Sequence, residues 1–330
     1  YPGGPIDKVD IGELVEFVEA AVARYSAPSY NIKYWEIYNE PDNGSEYFAS
    51  TGEVGYFGYN PQGYVDHLAA IYQPIKNLDP ESQVVFGGIA YDAWDTWGGP
   101  FARDFLDGVL QAGGGDYFDV MNFHYFPVFR QFWEPYGIDI LGKLNYLRAE
   151  LASYGLQKPF ICTETGTWSD EASGGSDELQ SRYVPQVFVR SLAGDLELTI
   201  WFMLIDESGL SSRKWGLLNS DLSPKPAYHA YQVLARQLSR AEYVRTLDPS
   251  QTGSDQIEAH EFALSDDSLH VLVAWTNDDL SHPLSIVTPH LVKVEKYGTE
   301  TLIHDGDDGT LDGQVTLALG PSPLYLRWSP

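Results

Sequence analysis

The sequence is poor in cysteine, in basic residues and in long apolar runs. Its single cysteine, Cys162, excludes an intramolecular disulfide, and the apolar run PFICTET around it favours a buried core residue over a nucleophile. Lys and Arg number 20 against 47 Asp and Glu, a formal net charge of −27, which argues against binding nucleic acid or an anionic membrane. No run is long enough to span a membrane, and no signal peptide begins at Tyr1. We expect neither nucleic acid nor membrane as a partner, and the localisation, secreted or cytoplasmic, stays open.

Short apolar strands alternate with amphipathic helices over the first 240 residues. Strands are predicted at about 32–39, 83–89, 118–125, 159–164 and 198–205. Helices are predicted at about 10–25, 62–78, 101–111, 139–154, 178–192 and 225–238. This order indicates parallel βαβ units, whose strands are buried on both faces and therefore read as nearly continuous apolar runs.

The pattern changes near residue 243. Short alternating strands separated by turn clusters follow at about 257–264, 269–276, 291–296, 315–319 and 324–328. We therefore predict an α/β domain over 1–242 and a small all-β sandwich over 243–330.

Polar side chains gather at the predicted carboxyl ends of the strands, where parallel barrels hold their active sites. They are Asn39 and Glu40, Asn122 and His124, Thr163 and Glu164, and Asp206 and Glu207. Retaining cleavage of a glycosidic bond needs two carboxyl groups about 5 Å apart, one protonated and one ionised. Glu40 and Glu164, each at the end of a different strand, are the candidates for this pair.

Five segments carry a resemblance to a known group of enzymes. In chain order they are WEIYNEPD (35–42), FHYF (123–126), ICTETG (161–166), IWFML (200–204) and KWGLLNSDLSPKPAYHAYQVL (214–234). Together they resemble clan A glycoside hydrolases, which are retaining glycosidases built on a (β/α)8 barrel.

The resemblance implies a role for each matching residue. Glu40 would be the general acid/base, Glu164 the nucleophile, and Asn39 the hydrogen-bond partner of the sugar 2-hydroxyl. His124 or Tyr125 would orient Glu164, although many clan members have His-x-Tyr and the corresponding position here is Phe126. Trp201 would form the floor under the reacting sugar ring, although a core tryptophan is an equally good interpretation, as is a core histidine for His124. Tryptophans in the loops after the strands, at the predicted mouth, are candidates for sugar platforms, with packing of the loops as the alternative for one or two of them; they are Trp94, Trp97, Trp133 and Trp168.

The chain also departs from the resemblance. Only five βα units are predicted, and their motifs correspond to units four to eight of the barrel, so the fold class is a partial TIM-type barrel followed by the sandwich. Five strands do not close a barrel in the usual way, and the first and fifth would have open apolar edges. The chain could be part of a longer enzyme, could associate with a second copy, or could form a stable incomplete barrel. We expect a homo-oligomer that covers the open edges.

Two functions follow. The first is a retaining glycoside hydrolase acting on an oligosaccharide, a polysaccharide, or an aryl or alkyl β-glycoside. The alternative is a non-catalytic or weakly active carbohydrate-binding remnant of such an enzyme. A metal hydrolase is disfavoured because the eight histidines are scattered and no HExxH motif occurs. We accordingly expect neither a metal nor a cofactor. The sugar, the linkage and the choice between exo and endo action cannot be read from these motifs.

Overall fold

The computed structural model describes residues 10–44, 57–206, 213–264 and 268–329, so Glu207 lies outside the described residues. The chain divides into two compact units. The first comprises Tyr1–Thr165 with Leu196–Ile200, and the second comprises Gly166–Asp195 with Trp201–Pro330. The division into domains 1–242 and 243–330 stays a prediction.

The first unit contains the strands of the α/β region. They are β1 (Tyr34–Asn39), β2 (Gln83–Gly88), β3 (Met121–Tyr125), β4 (Phe160–Thr165) and the start of β5 (Leu198–Trp201). β1 pairs with β2 and β3 pairs with β4, in both cases in parallel. Parallel bridges join β2 to β3, and β5 lies next to β4. The strands therefore neighbour one another in chain order, as successive βαβ units require.

One helix precedes β1 and three connect the strands that follow. They are α1 (Ile11–Tyr25), α2 (Pro61–Leu78), α3 (Phe105–Gln111) and α4 (Ile140–Ser153). Asp10 caps α1 by accepting a hydrogen bond from the Gly12 amide. Helix α3 begins four residues later than predicted because Phe101 forms backbone bridges with Asn43 and Trp94 instead. No described helix is long and apolar enough to cross a membrane.

The middle and outer strands of the first unit differ in burial. β3 is buried along its whole length, and β2 is buried from its second residue onward, as expected for parallel strands covered on both faces. On the first strand Tyr34 is 52% exposed, and on the fifth Leu198 and Ile200 are 43% and 44% exposed. Apolar side chains therefore reach solvent at both outer strands.

The second unit contains a helical part and a β-rich part. Its helices are α5 (Asp177–Ala193), α6 (Pro226–Gln237) and the short α7 (Pro249–Thr252). Its strands are β6 (Ala241–Thr246), β7 (Ile257–Leu264), β8 (His270–Thr276), β9 (His282–Val287), β10 (His290–Glu295), β11 (Glu300–His304), β12 (Gln314–Leu319) and β13 (Leu324–Trp328). They form a six-stranded antiparallel sheet, in the order β11-β10-β13-β8-β7-β6, and a two-stranded antiparallel sheet of β12 and β9.

Both faces of the six-stranded sheet are covered. Along β8, Leu272 and Ala274 share a core with β9 and β12, whereas Val273 and Trp275 share a core with Val189 of α5 and residues of α6. Because successive residues of a strand point to opposite faces, this arrangement accounts for the continuous apolar sequence of β8.

Three strands of this unit were not predicted: β6, β9 and β11. β9 contains Pro283, which cannot donate a ladder hydrogen bond and so argues against a central strand; β9 in fact pairs only with β12 among the described strands. β11 is mostly exposed and lies at the edge of its sheet, so it lacks the apolar alternation on which the prediction relied.

Candidate active site

The end of β1 has an irregular backbone that sets the position of Glu40. Tyr38 and Glu40 both adopt positive φ, +74° and +47°, a conformation that costs about 1–3 kcal/mol for a non-glycine residue and is concentrated at functional sites. Neighbouring groups hold it in place. The Tyr64 hydroxyl accepts from the Gly87 amide and donates to the Ile37 carbonyl, both at 2.9 Å. The Glu40 amide donates to the Gly88 carbonyl at 3.0 Å.

The end of β4 has a β-bulge that sets the direction of Glu164. Phe123 pairs with Cys162 but His124 pairs with Glu164, so Thr163 is the additional residue. In a regular strand Thr163 and Glu164 would point to opposite faces, whereas a bulge re-aims one of them. The Thr163 amide and hydroxyl bind the side-chain amide of Asn122, at 3.2 and 2.8 Å, while Glu164 faces His124.

His124 lies between the two glutamates. Its Nδ1 is 3.1 Å from Oε1 of Glu40 and 3.7 Å from Oε2 of Glu164. One oxygen of each glutamate and a nitrogen of His124 lie within 4.8 Å of one another, and among the described residues this is the group of three such side chains that could hold a metal ion. The glutamate side chains are 25% and 27% exposed and His124 is 1% exposed. Both carboxylates are therefore accessible to a ligand, while the histidine between them is not.

The ionisation of the three groups is set mainly by burial. Burial raises the pKa of Glu40 to about 7, an effect that the charge of Lys143 opposes. Burial also raises the pKa of Glu164, and His124 opposes that rise. Burial lowers the pKa of His124, so its imidazole is neutral near pH 7. With hydrogen on Nδ1, this ring donates to Glu40.

Gly88, at the end of β2, is required by the close approach of His124. A Cβ at this position would overlap Nε2 of the His124 ring and would lie 3.1 Å from Nδ2 of Asn122. The Gly88 amide also donates to Oε1 of Glu36 at 3.0 Å. Sequence reasoning did not single out this glycine, although the Gly-Gly pair that ends a β-branched strand was a usable signal.

Asp42 was also missed as a contributor to the site. It is fully buried, and its carboxylate accepts from the amides of Ala90 and Tyr91 at 3.2 and 2.7 Å. It thereby joins the loops that follow β1 and β2. Burial, reinforced by the charge of Glu40, raises the pKa of Asp42 to about 7.

The other predicted residues of the first unit differ in accessibility. Asn39 is exposed and precedes Glu40 directly. Tyr125 is fully buried, and strand alternation places it on the face of β3 opposite to His124. Trp94 is 6% exposed and contacts Trp97, whose ring centroid is 4.8 Å away and which is itself 54% exposed. Trp133, the third loop tryptophan predicted in this unit, is buried, so Trp97 is the exposed one of the three.

Trp168 and Trp201 belong to the second unit, where both are largely buried, 8% and 7% exposed. Nε1 of Trp201 donates to the carbonyl of Trp215 at 3.1 Å. Nε1 of Trp168 donates to the carbonyl of Ser173 at 2.9 Å, and the Arg213 guanidinium lies 4.5 Å from the Trp168 ring centroid. The sugar-binding roles of the two tryptophans stay predictions.

No protein-family model and no curated protein matches this sequence. Solved structures do resemble it. A family 39 glycoside hydrolase from the gut symbiont Bacteroides cellulosilyticus WH2 matches with a TM-score of 0.70 and 21% identity, over 99% of this chain and 64% of that one. A glucosidase from Croceicoccus marinus matches with a TM-score of 0.65 and 14% identity, over 99% and 76%. A family 30 endoxylanase from Clostridium papyrosolvens C71 matches with a TM-score of 0.59 and 14% identity, over 97% and 71%.

These similarities establish the class of fold. The chain has an α/β fold with parallel-strand sheets and a β-rich region, similar to clan A glycoside hydrolases. The predicted α/β class and its likeness to this clan are therefore confirmed as statements about the fold. The chain spans 64% of the length of the family 39 enzyme, and at such low identities fold alone does not transfer an activity.

Proposed function

We propose that this chain is a retaining glycoside hydrolase with Glu40 as acid/base and Glu164 as nucleophile. The observation that carries the proposal is the pair of partly exposed carboxylates that both lie close to His124 Nδ1, with oxygens within 4.8 Å of each other. Retaining glycosidases hold their two carboxyl groups about 5–5.5 Å apart, whereas inverting enzymes need about 6.5–9.5 Å to admit a water molecule. The short separation supports double displacement.

The raised pKa of Glu40 supports its assignment as the general acid. A pKa of about 7 keeps a proton on Glu40 for much of the time near neutral pH. In the first step Glu40 gives this proton to the leaving oxygen as the C1–O bond breaks, and a Glu164 oxygen bonds to C1. In the second step water attacks C1 and gives a proton to Glu40, and the ester to Glu164 breaks.

The remaining predicted contacts position the sugar. Asn39, exposed beside Glu40, would bind the 2-hydroxyl. Trp97 would stack on a sugar ring, since it is the most exposed of the predicted platforms. Trp94 would support Trp97 from beneath, at a ring separation of 4.8 Å. Trp201 and Trp168 would serve as the floor and a further platform, as the resemblance implies.

The substrate class proposed is a β-linked glucose- or xylose-containing saccharide. The similar structures include an endoxylanase, a glucosidase, a family 44 xyloglucanase from Paenibacillus polymyxa and a β-xylosidase from Caulobacter crescentus CB15. A neutral sugar also suits an acidic chain, because it carries no charge for the net −27 to repel.

We further propose that the strands β1–β5 correspond to units four to eight of the barrel. Exposed apolar side chains on the outer strands, Tyr34, Leu198 and Ile200, support the idea that other polypeptide covers them, either further chain or a second copy of this one. Sedimentation at micromolar concentration tests the second copy. A dimer that dissociates when Ile200 is replaced by Lys is expected, whereas a monodisperse monomer would refute self-association.

An activity screen tests the glycosidase proposal. Aryl β-glucoside, xyloside, galactoside, mannoside, fucoside and arabinoside are incubated with the wild type, with Glu164→Gln and with Glu16→Gln, which changes an exposed glutamate of α1. We expect turnover that is lost in Glu164→Gln and retained in Glu16→Gln. With azide, Glu40→Ala should form a β-glycosyl azide and Glu164→Ala an α-glycosyl azide, because azide then attacks opposite faces of the sugar.

The open outer strands favour a second candidate function, a non-catalytic or weakly active carbohydrate-binding remnant. An incomplete barrel could retain the Asn39 and Trp97 contacts without an enclosed site. Saccharide binding detected by calorimetry, together with no turnover on any glycoside of the screen, would favour this candidate over the enzyme.

A further inference from the structure

Lys143 is a buried lysine beneath the candidate active site, and the sequence analysis did not identify it. It lies on α4, and its side chain is 0% exposed. Its Nζ donates to three oxygens: the carbonyl of Ala90, the carbonyl of His124 at 2.8 Å and Oδ2 of Asp92 at 2.9 Å. An ammonium has three N–H donors, so all three are used.

The three acceptors lie at the carboxyl ends of two neighbouring strands. Ala90 follows β2, Asp92 lies in the loop after it, and His124 is in β3. The other carboxylate oxygen of Asp92 accepts from Nε1 of Trp133 at 2.7 Å, so the counter-ion is also held in place. Lys143 therefore joins the ends of β2 and β3 through one atom.

The ion pair of Lys143 with Asp92 is by itself weak evidence for a role in stability. A buried ion pair can often be replaced by apolar side chains at little cost, since desolvation offsets the attraction between the charges. Lys143, however, binds the backbone of His124, the residue whose ring lies between Glu40 and Glu164. A shift of this carbonyl would move the ring relative to both glutamates.

Lys143 is also the cation among the groups that act on Glu40. The ionisable groups around this part of the site are Glu36 of β1, Asp42 after β1, Asp92 after β2, His124 of β3, Glu164 of β4 and Lys143 of α4. Four of the six are acidic and His124 is neutral near pH 7. The positive charge of Lys143 therefore favours ionised Glu40, and Glu40 raises the pKa of Asp92, so the two like charges oppose each other's ionisation.

We propose that Lys143 is a positioning residue of the glycosidase centre, which clamps the ends of β2 and β3 and thereby holds His124 against Glu40 and Glu164. This inference rests on the proposed function. In this proposal the Lys143 ammonium holds the backbone of His124 in position, and its charge favours the ionised form of Glu40.

Lys76 provides a matched control. It reaches the opposite ends of the same two strands, where Nζ contacts the carbonyl of Ser82 before β2 at 2.5 Å and the carboxylate of Asp119 before β3 at 2.6 Å. Lys76→Met therefore removes a comparable clamp from the first unit without touching His124.

The experiment compares the pH dependence of kcat/KM for the wild type, Lys143→Met, Asp92→Asn and Lys76→Met. In Lys143→Met we expect kcat to fall about tenfold with little change in KM. We also expect the basic limb of the pH profile to move up by about half a pH unit or more, because ionised Glu40 loses a favourable charge. In Asp92→Asn the limb should move down, because a repelling charge is removed. In Lys76→Met it should not move.

Limbs that coincide in all four proteins would overturn the inference and leave Lys143 a purely structural residue. Should Lys143→Met not fold, the double variant Lys143→Met/Asp92→Asn, which leaves no unpaired buried carboxylate, takes its place, and an unchanged kcat would overturn the inference. Should the wild type turn over no glycoside, the proposed function fails by itself. Carboxyl ¹³C NMR, with the Glu40 resonance identified by its loss in Glu40→Gln, then measures the same opposite shifts, and their absence would refute the role of Lys143.

Discussion

Replacing Glu40 with Gln should stabilise the protein at alkaline pH. Burial raises the pKa of this carboxyl from 4.5 to about 7, and each pKa unit corresponds to about 1.36 kcal/mol. Ionising Glu40 therefore costs about 3 kcal/mol more in the folded chain than in the unfolded chain. This cost lowers the stability of the folded protein at every pH at which Glu40 is ionised. A glutamine has nearly the same shape and no charge, and its amide oxygen can still accept from His124.

The sign of the effect depends on pH. Below pH 4.5 the carboxyl is protonated in both the folded and the unfolded chain, so the wild type bears no cost. Between pH 4.5 and 7 the unfolded chain releases the proton before the folded chain does, and the stability of the folded state falls. Above pH 7 the full cost of about 3 kcal/mol is present, and Glu40→Gln should remove most of it.

Urea unfolding at pH 4 and pH 8.5 measures this difference. We expect similar unfolding free energies of wild type and Glu40→Gln at pH 4 and a gain of about 3 kcal/mol in the variant at pH 8.5, which corresponds to about 4 °C in Tm for a chain of this size. Glu16→Gln, an exposed change on α1, should behave like the wild type at both values. A gain that is equal at the two pH values, or absent at pH 8.5, would refute the reasoning, because desolvation of the Glu40 carboxylate could not then be its cause.

Three further substitutions test separate parts of the structure. Gly88→Ala forces a Cβ into the His124 ring and should lower kcat/KM at least about tenfold. Gly320→Ala, whose added Cβ has no atom within 4 Å, should leave kcat/KM unchanged. Equal activities of the two variants would contradict the packing around Gly88. Arg190→Met breaks a buried two-point ion pair with Glu258, at 2.7 and 2.8 Å, and should cost about 3 kcal/mol in urea unfolding, of which adding Glu258→Gln should restore part. Trp97→Ala should weaken oligosaccharide binding by about 1 kcal/mol with little effect on a small aryl glycoside, and an equal effect on both ligands would argue against a sugar platform.

The predicted elements agree with the structure where burial alone governs a segment. The strands at 83–89 and 118–125 were recognised because both faces are covered, so their sequences are continuously apolar. β9 and β11 were missed because one contains Pro283 and the other is mostly exposed. The predicted fifth strand ends four residues early, at Trp201, since an apolar run shows that a segment is buried and not that its backbone is extended.

The sequence by itself determined which side chains can carry the chemistry. The apolar run at 32–39 predicted that Glu40 lies at the end of a strand, and the run ending at Glu164 predicted the same for the second carboxylate, because local patterning encodes such strand ends. The tertiary structure alone decided how these groups meet. The bulge at Thr163, the positive φ of Glu40 and the burial that raises its pKa arise from contacts between segments far apart in the chain, and residue spacing carries no record of them.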